Sequence, residues 1–389
     1  MDFDFDKVID RRGGDSVKWN RYAGRDVLPM WVADMDFAAP PAVLSALQER
    51  LAHGVFGYGD VRPAVDAAVV EHLAREYGWA IEPSWLVWLP GLVSGLNVAC
   101  RAVGRPGDAV FTATPIYPPF LSAPLNSGRR LLSAPLQLFE SSGRQRWRWD
   151  FAATAAALDP GTRLLLLCHP HNPVGRAWDD DELEELAALA RRHDLVVCSD
   201  EIHCGLLLEP GRRHRPYASL GADASRRSIT LMAPSKTFNV PGLGAAFAVI
   251  PDAALRSAFR VAMQGIVPHV NLLGLVATEA AFREGGAWHA ALLAYLAGNR
   301  ARVEAFVAGH PELAMAPVES TYLAWIDARQ LAARLGDPQR HFEAAGVGLS
   351  AGEAFGGAAY RDFVRLNFGC PRATLDEALA RLGRALRTA

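Results

Sequence analysis

Lysine is almost missing from this chain of 389 residues, which has only Lys7, Lys18 and Lys236. Chemistry that needs an amine therefore has few places to reside, and the first two lie in the N-terminal segment. Cysteine is scarce as well. The five, Cys100, Cys168, Cys198, Cys204 and Cys370, are odd in number and sit mostly in apolar runs. Cys198 and Cys204 are not spaced as a C-x-x-C pair, so neither a disulfide framework nor a zinc site is expected, and no metal ligand set is expected elsewhere. No apolar run approaches the ~18 residues of a membrane span, and the opening Met1-Asp2-Phe3-Asp4 lacks the form of a signal peptide. Neither sign of charge dominates. A net charge of −2 gives no reason to expect nucleic acid or an anionic membrane as partner. The expectation is a cytoplasmic protein with no nucleic-acid and no membrane partner. Its composition, 50% hydrophobic and 21% charged, is that of a globular chain long enough for one large domain and one smaller.

Lys236 stands out by its setting. Residues 228–244 read S-I-T-L-M-A-P-S-K-T-F-N-V-P-G-L-G. The apolar run 229–232 predicts a short buried strand, broken at Pro234 just before Ser235 and Lys236. Gly242 and Gly244 follow, where backbone can pass close to another group. An amine in so apolar a setting loses hydration of its charged form, so its pKa falls from ~10.4 towards neutrality. The neutral amine attacks carbonyls, as a Schiff-base site requires. An ordinary surface lysine in a loop is the other reading of this stretch alone.

Residues 1–45 read as irregular, with Pro29, Pro40 and Pro41 around the aromatic-acidic segment M-W-V-A-D-M-D-F at 30–37. Asp34 and Asp36 form a carboxylate pair there, with no second cluster to complete a metal site. Pro41 with Val43, Leu44, Leu47 and Leu51 predicts a helix over 41–52. The glycine-punctuated loop 54–60 then displays Tyr58, and another helix is expected over 63–77. From there short apolar runs alternate with amphipathic stretches. Strands are expected at 86–89, 109–112, 163–168, 195–199, 229–232 and 245–250, and helices at 92–103 and 179–193. The last is acidic first and basic last, in accord with its dipole. A long helical region is expected over 253–309, then strands at 322–326 and 364–368 and a helix at 375–386. Such alternation implies an α/β fold. A large domain, 46–285, would hold a mostly parallel sheet covered by helices. A smaller α/β domain would combine 1–45 with 286–389.

In such sheets the residues just beyond strand ends converge on one crevice. Tyr117, Asn172, Asp200 and Lys236 all hold such positions, and the turn at 91–94 leads into a helix, where free N–H groups take an anion. A lysine can hold an aldehyde cofactor, and an aspartate can keep a ring nitrogen protonated. Asn172 can donate to a phenolic oxygen, Tyr117 can stack on a flat ring, and the 91–94 turn can take a phosphate. Together they describe a site for pyridoxal 5'-phosphate. Singly each has a plainer reading: Asp200 a helix cap, Asn172-Pro173 a turn, Tyr117 core, Gly91 a helix lead-in.

The order PGLVSGL, TPIYPPF, HPHNPVG, SDEIH and APSKTFN resembles the fold type I pyridoxal phosphate enzymes, the aspartate aminotransferase superfamily. Within it, WVADMDF, HGVFGY, SDEIH and FVRLNFGCPR resemble the MalY/PatB-type cystathionine β-lyase and cysteine-S-conjugate β-lyase branch. The resemblance implies that Lys236 carries the cofactor aldehyde as an imine, that Asp200 holds the pyridinium nitrogen and Asn172 the 3-oxygen, and that Tyr117 stacks on the ring. It places the backbone of Leu92 and Val93, with Ser235, by the phosphate, His203 beside the cofactor, and Arg365 and Ala33 at the substrate. Tyr58 would reach the phosphate from the neighbouring subunit of a homodimer and serve catalysis there. Two positions depart from ordinary aminotransferases: His203 where they carry tyrosine, and Gly244 where they carry a phosphate-binding arginine. The implied reaction is α,β-elimination from L-cystathionine or a related cysteine S-conjugate to a thiol, pyruvate and ammonia. The alternatives are an aminotransferase and a non-catalytic regulatory binding protein. Arg365 lies between Val364 and Leu366, and an arginine so placed is seldom buried unpaired. Its partner is either an internal carboxylate or, as the resemblance implies, the substrate's.

Overall fold

Runs of leucine, valine and alanine with no polar face form strands that must be buried on both sides. In the computed structural model, which describes residues 3–141 and 144–387, seven strands make one sheet; Met1 and Asp2 lie outside the described residues. The strands are β1 (Leu86–Leu89), β2 (Ala109–Thr114), β3 (Arg130–Pro135), β4 (Thr162–Cys168), β5 (Val196–Asp200), β6 (Ser228–Met232) and β7 (Ala246–Val249). Their spatial order is β1-β7-β6-β5-β4-β2-β3. β7 runs antiparallel to both its neighbours, and every other pairing is parallel. On β4, Leu164 and Leu166 pack into one core with Leu92, Leu96 and Phe259. Leu165 and Leu167 pack into another with Trp178, Leu186 and Val197. Helices thus cover both faces. The register aligns Cys168 with Asp200 and Asp200 with Leu231, which brings three carboxyl ends level along one edge.

The expected strands form, with β2 running on to Thr114. The long helical region at 253–309 is three helices instead: Ala253–Met263, Leu272–Glu284 and Gly286–Ala308. The first break carries Pro268 and Gly265, whose φ of +77° no helix admits. The second falls at Gly285, where a β-carbon would lie 2.6 Å from the Phe238 ring. A helix (Pro119–Asn126), the edge strand β3, a hairpin (Gln137–Ser141 with Arg144–Arg148) and a helix (Phe151–Ala157) occupy 119–157, where the sequence pattern gives no expectation.

Towards the C-terminus Phe363–Asn367 is the middle strand of an antiparallel sheet with Leu323–Asp327 and Ser350–Ala351. Leu28–Pro29 pairs in parallel with Val347–Gly348. The segment that follows is irregular but firmly held. Asn367 donates from Nδ2 to the carbonyls of Val32 (2.6 Å) and Asp34 (2.7 Å). Asn239 donates to the carbonyls of Met35 and Phe37 and accepts from the Met35 N–H. Asp34 and Asp36 are taken up by internal cations: Arg11 reaches both at 2.7 Å, and Lys18 Nζ lies 2.7 Å from Asp36. Lys18 is only 1% exposed.

Burial raises the Asp36 pKa, but the Lys18 charge and the hydrogen bonds from Lys18, Trp19 and Arg11 outweigh it, leaving the carboxyl below its usual range. Its stabilising contribution is thus present above the unfolded value of ~3.9 and is lost as pH falls through the lower folded value. Lys18→Met removes one partner of a buried pair, at an expected cost of about 3 kcal/mol. The thermal midpoint at pH 7 should fall by several degrees, and the gap to wild type should close as acid protonates Asp36. An unchanged midpoint would show that Arg11 and Trp19 suffice.

Candidate active site

The residues just past five strand ends line one cavity of about 520 Å³. After β1 comes Gly91, the N-cap of helix Leu92–Ala102, which has no side chain to cap the first turn. The first intrahelical bond is Gly95 N–H to Gly91 O, so the N–H groups of Leu92, Val93 and Ser94 remain for an anion. After β2, Tyr117 donates its N–H to the Asn172 carbonyl (3.1 Å). After β4, Asn172 donates its own N–H to Cys168 Sγ. β5 ends in Asp200, whose Oδ1 accepts from the Ile202 N–H (3.1 Å). β6 delivers Ser235 and Lys236. Leu92, Val93, Tyr117, Asn172, Asp200, His203, Ser235 and Lys236 all line the cavity, as do Ala33, Gly244 and Arg365.

Lys236 Nζ donates to the Ala33 carbonyl, which also accepts from Tyr322 Oη at 2.9 Å. Burial pushes the amine down to about 8; Asp34 opposes this, Arg365 adds to it and Asp200 opposes it. The fall expected from the apolar setting is therefore present. Burial pushes the Asp200 carboxyl up to about 7, against the Ile202 N–H and the Lys236 charge. Burial also holds His203 well below its ordinary value, assisted by Lys236 and Arg365. Its ring is neutral, and Nδ1 has no partner among the described residues.

Arg365 has no internal carboxylate among the described residues. Nη1 donates to Asn172 Oδ1 (2.9 Å), and Nη2 donates to the Trp31 carbonyl (2.7 Å) and Ser350 Oγ (3.3 Å). Nε is unpartnered, and the guanidinium lies 4.8 Å from the Phe355 ring centre. Burial lowers its pKa to about 10. Guanidinium has only donors, so Asn172 must turn its oxygen to Arg365 and keep its NH₂ for another partner.

Gly244 has φ +59°, in the left-handed region. An arginine there would carry a strained backbone at a cost of ~1–2 kcal/mol, which gives the glycine a backbone cause. Tyr58 lies outside this chain's own cavity and is fully exposed, at 107%. Trp31, Ser350, Tyr322 and Phe355 were not foreseen as site residues. Trp31 acts through its carbonyl, which leaves no side-chain signature, and the other three sit in the C-terminal third, where no motif marks them.

The donor set fits a phosphorylated pyridine aldehyde. It offers an amine, a carboxylate short of donors, an amide NH₂, a tyrosine ring, free helix-terminal N–H groups and the Ser235 hydroxyl. This sheet edge and these groups define the fold type I class of pyridoxal phosphate enzymes. Residues 25–382 match the family described as aminotransferase class I and II, and the chain belongs to that family. Cystathionine beta-lyase PatB of Bacillus subtilis (strain 168) is 39% identical over 98% of this chain and 99% of its own length. The crystal structure of OvoB is 48% identical, with a TM-score of 0.95 over 100% of both chains. Cystalysin from Treponema denticola, whose crystal structure contains a pyridoxal 5'-phosphate cofactor, is 32% identical, with a TM-score of 0.93 over 100% of both chains.

In the cofactor-free protein, acylation of Lys236 by an amine-directed reagent should be half-maximal near pH 8. Burial disfavours the ammonium form, so the reactive neutral amine of Lys236, followed by peptide mapping, emerges at lower pH than that of a free lysine. A half-point for Lys236 near the ~10.4 of a free lysine would show that the site hydrates the charge.

Proposed function

We propose that this chain is a pyridoxal 5'-phosphate-dependent carbon–sulfur lyase that converts L-cystathionine or a related cysteine S-conjugate to a thiol, pyruvate and ammonia. The observation that carries this is the meeting, in one cavity, of a buried and partly neutral Lys236 with a buried Arg365 that has no carboxylate of its own among the described residues. The likeness to a cystathionine beta-lyase over nearly the whole chain supports it.

When bound, the cofactor supplies an electron sink for negative charge at the substrate's Cα. Asp200 would keep a proton on the ring nitrogen, which relieves a carboxylate now short of donors. Asn172 would donate to the 3-oxygen, Tyr117 would stack on the ring, and His203 would lie beside it. The N–H groups of Leu92 and Val93, with Ser235, would take the phosphate in the absence of an arginine at 244. Arg365 would fork onto the substrate's α-carboxylate, a fixed bidentate geometry, and Ala33 would border the substrate through its carbonyl. Lys236 Nζ would hold the cofactor between turnovers and accept the Cα proton during them. An amine titrating near 8 offers that base near neutral pH. Thiolate departure from Cβ follows, and water releases pyruvate and ammonia.

An aminotransferase would use the same Cα deprotonation, so the acceptor decides. The test is pyruvate release from a panel of cysteine conjugates with no 2-oxo acid added. The proposed enzyme releases it, and Lys236→Ala releases none. A strict need for an oxo acid would overturn the lyase in favour of transamination. In the same assay Arg365→Lys keeps the charge but loses the fork. Loss from a buried charged pair of ~2–5 kcal/mol predicts a fall in kcat/KM of roughly thirtyfold or more, carried by KM.

The division into a large unit, 46–285, and a small unit of 1–45 with 286–389 is part of this proposal, as is a cytoplasmic setting, which five free and buried cysteines support. So is a homodimer in which Tyr58 serves the neighbouring site. Full exposure of an aromatic side chain on a glycine-rich loop supports a docking role. Mixing Tyr58→Phe with Lys236→Ala chains and allowing exchange should restore activity, because one site of each mixed dimer carries neither change. No recovery, with exchange confirmed by a tag, would place Tyr58 outside the shared site.

A further inference from the structure

Three cationic side chains of the N-terminal segment lie near the cavity, and two are tied within the protein. Arg11 is held by Asp34 and Asp36, and Lys18 by Asp36. Arg21 is different. It follows the short helix Val17–Asn20, is exposed, and lines the open side of the cavity. Among the described residues no carboxylate lies within ion-pair distance of it and its side chain donates no hydrogen bond. Its guanidinium carbon lies 4.5 Å from the centre of the Trp31 ring and 5.7 Å from that of Tyr22. Stacking on an aromatic face leaves the in-plane N–H fork free and restricts the side chain before any ligand arrives.

Trp31 links this cation to the floor of the site. Its carbonyl accepts from Arg365 Nη2 (2.7 Å), while its ring supports Arg21. Two guanidiniums thus flank one residue, one buried and one at the mouth. The cavity lining includes apolar Pro118, Ile202, Ala354 and Phe355, the last under the Arg365 guanidinium, and among the described residues the single carboxylate lining it is Asp200. We propose that Arg21 sets the substrate preference of this site by binding a carboxylate at the far end of the S-substituent of a cysteine conjugate. This rests on the lyase function proposed above and narrows it to thioether amino acids with a second, distal carboxylate. An unpaired fork at the mouth matches that group, and the apolar wall matches the chain between.

The experiment compares S-(2-carboxyethyl)-L-cysteine with its neutral isostere S-(2-carbamoylethyl)-L-cysteine, by pyruvate release from the holoenzyme. Wild type should favour the acid by about tenfold in kcat/KM, carried by KM and weakening with added salt. Arg21→Gln should erase the preference and Arg21→Glu should invert it, with the amide affected far less and the cofactor absorbance unchanged. Arg21→Lys, which keeps charge without the stacked fork, should retain part. Equal use of the two substrates by wild type, or a preference that survives in Arg21→Gln, would overturn the role of Arg21 and leave the lyase standing. No pyruvate from either substrate would overturn both.

Discussion

The site depends on the cost of keeping two cations out of water. Lys236 and Arg365 sit in one cavity with Asp200 as its single lining carboxylate among the described residues. Dehydration lowers both pKa values, and in an interior of low polarity an unpaired charge is costly unless hydrogen bonds answer it. The answer comes from dipoles. Ala33 and Trp31 give their carbonyls to Lys236 and Arg365, and Asn172 and Ser350 supply the remaining oxygens. The cations are therefore stabilised enough to stay buried without being neutralised.

That arrangement explains why the irregular N-terminal segment is so tightly bound. A loop that presents carbonyls to charged groups must hold its backbone to a few tenths of an ångström. Asn239 and Asn367 do this from two different regions, each donating two hydrogen bonds to carbonyls of 32–37. The ion cluster of Arg11, Lys18, Asp34 and Asp36 fixes the same segment from its other side. It also turns the carboxylates of Asp34 and Asp36 towards cations other than Lys236. The parallel sheet places the chemistry, and the segment completes it.

Much of this was legible in the sequence because strand ends leave a plain record. An apolar run that stops at a polar residue marks the edge of a buried sheet, and Tyr117, Asn172, Asp200 and Lys236 all carry that mark. The breaks in the helical region at 253–309 were less visible, since Gly265 and Gly285 act through backbone geometry and a close approach to Phe238. The edge strand Arg130–Pro135 is largely exposed and mixes polar with apolar residues, so periodicity does not reveal it. The roles of Trp31 and Ala33 were harder still. A carbonyl is the same on every residue, and only the fold shows which ones converge.

Carbonyls and carboxylates are not interchangeable at these two positions. A carboxylate beside Arg365 would satisfy the guanidinium internally and compete with any incoming acid for the same fork. A carboxylate against Lys236 would favour the ammonium and raise its pKa, opposing the burial that brings it to about 8. Oriented peptide dipoles offset part of the burial cost and leave both functions open: an amine able to lose its proton, and a guanidinium able to bind a carboxylate. Asp34 shows how narrow the margin is. One residue beyond Ala33, it still raises the Lys236 pKa through space, although its carboxylate is directed to Arg11. Placing the charge there and the bare carbonyl at Ala33 keeps the lysine reactive while the segment stays anchored.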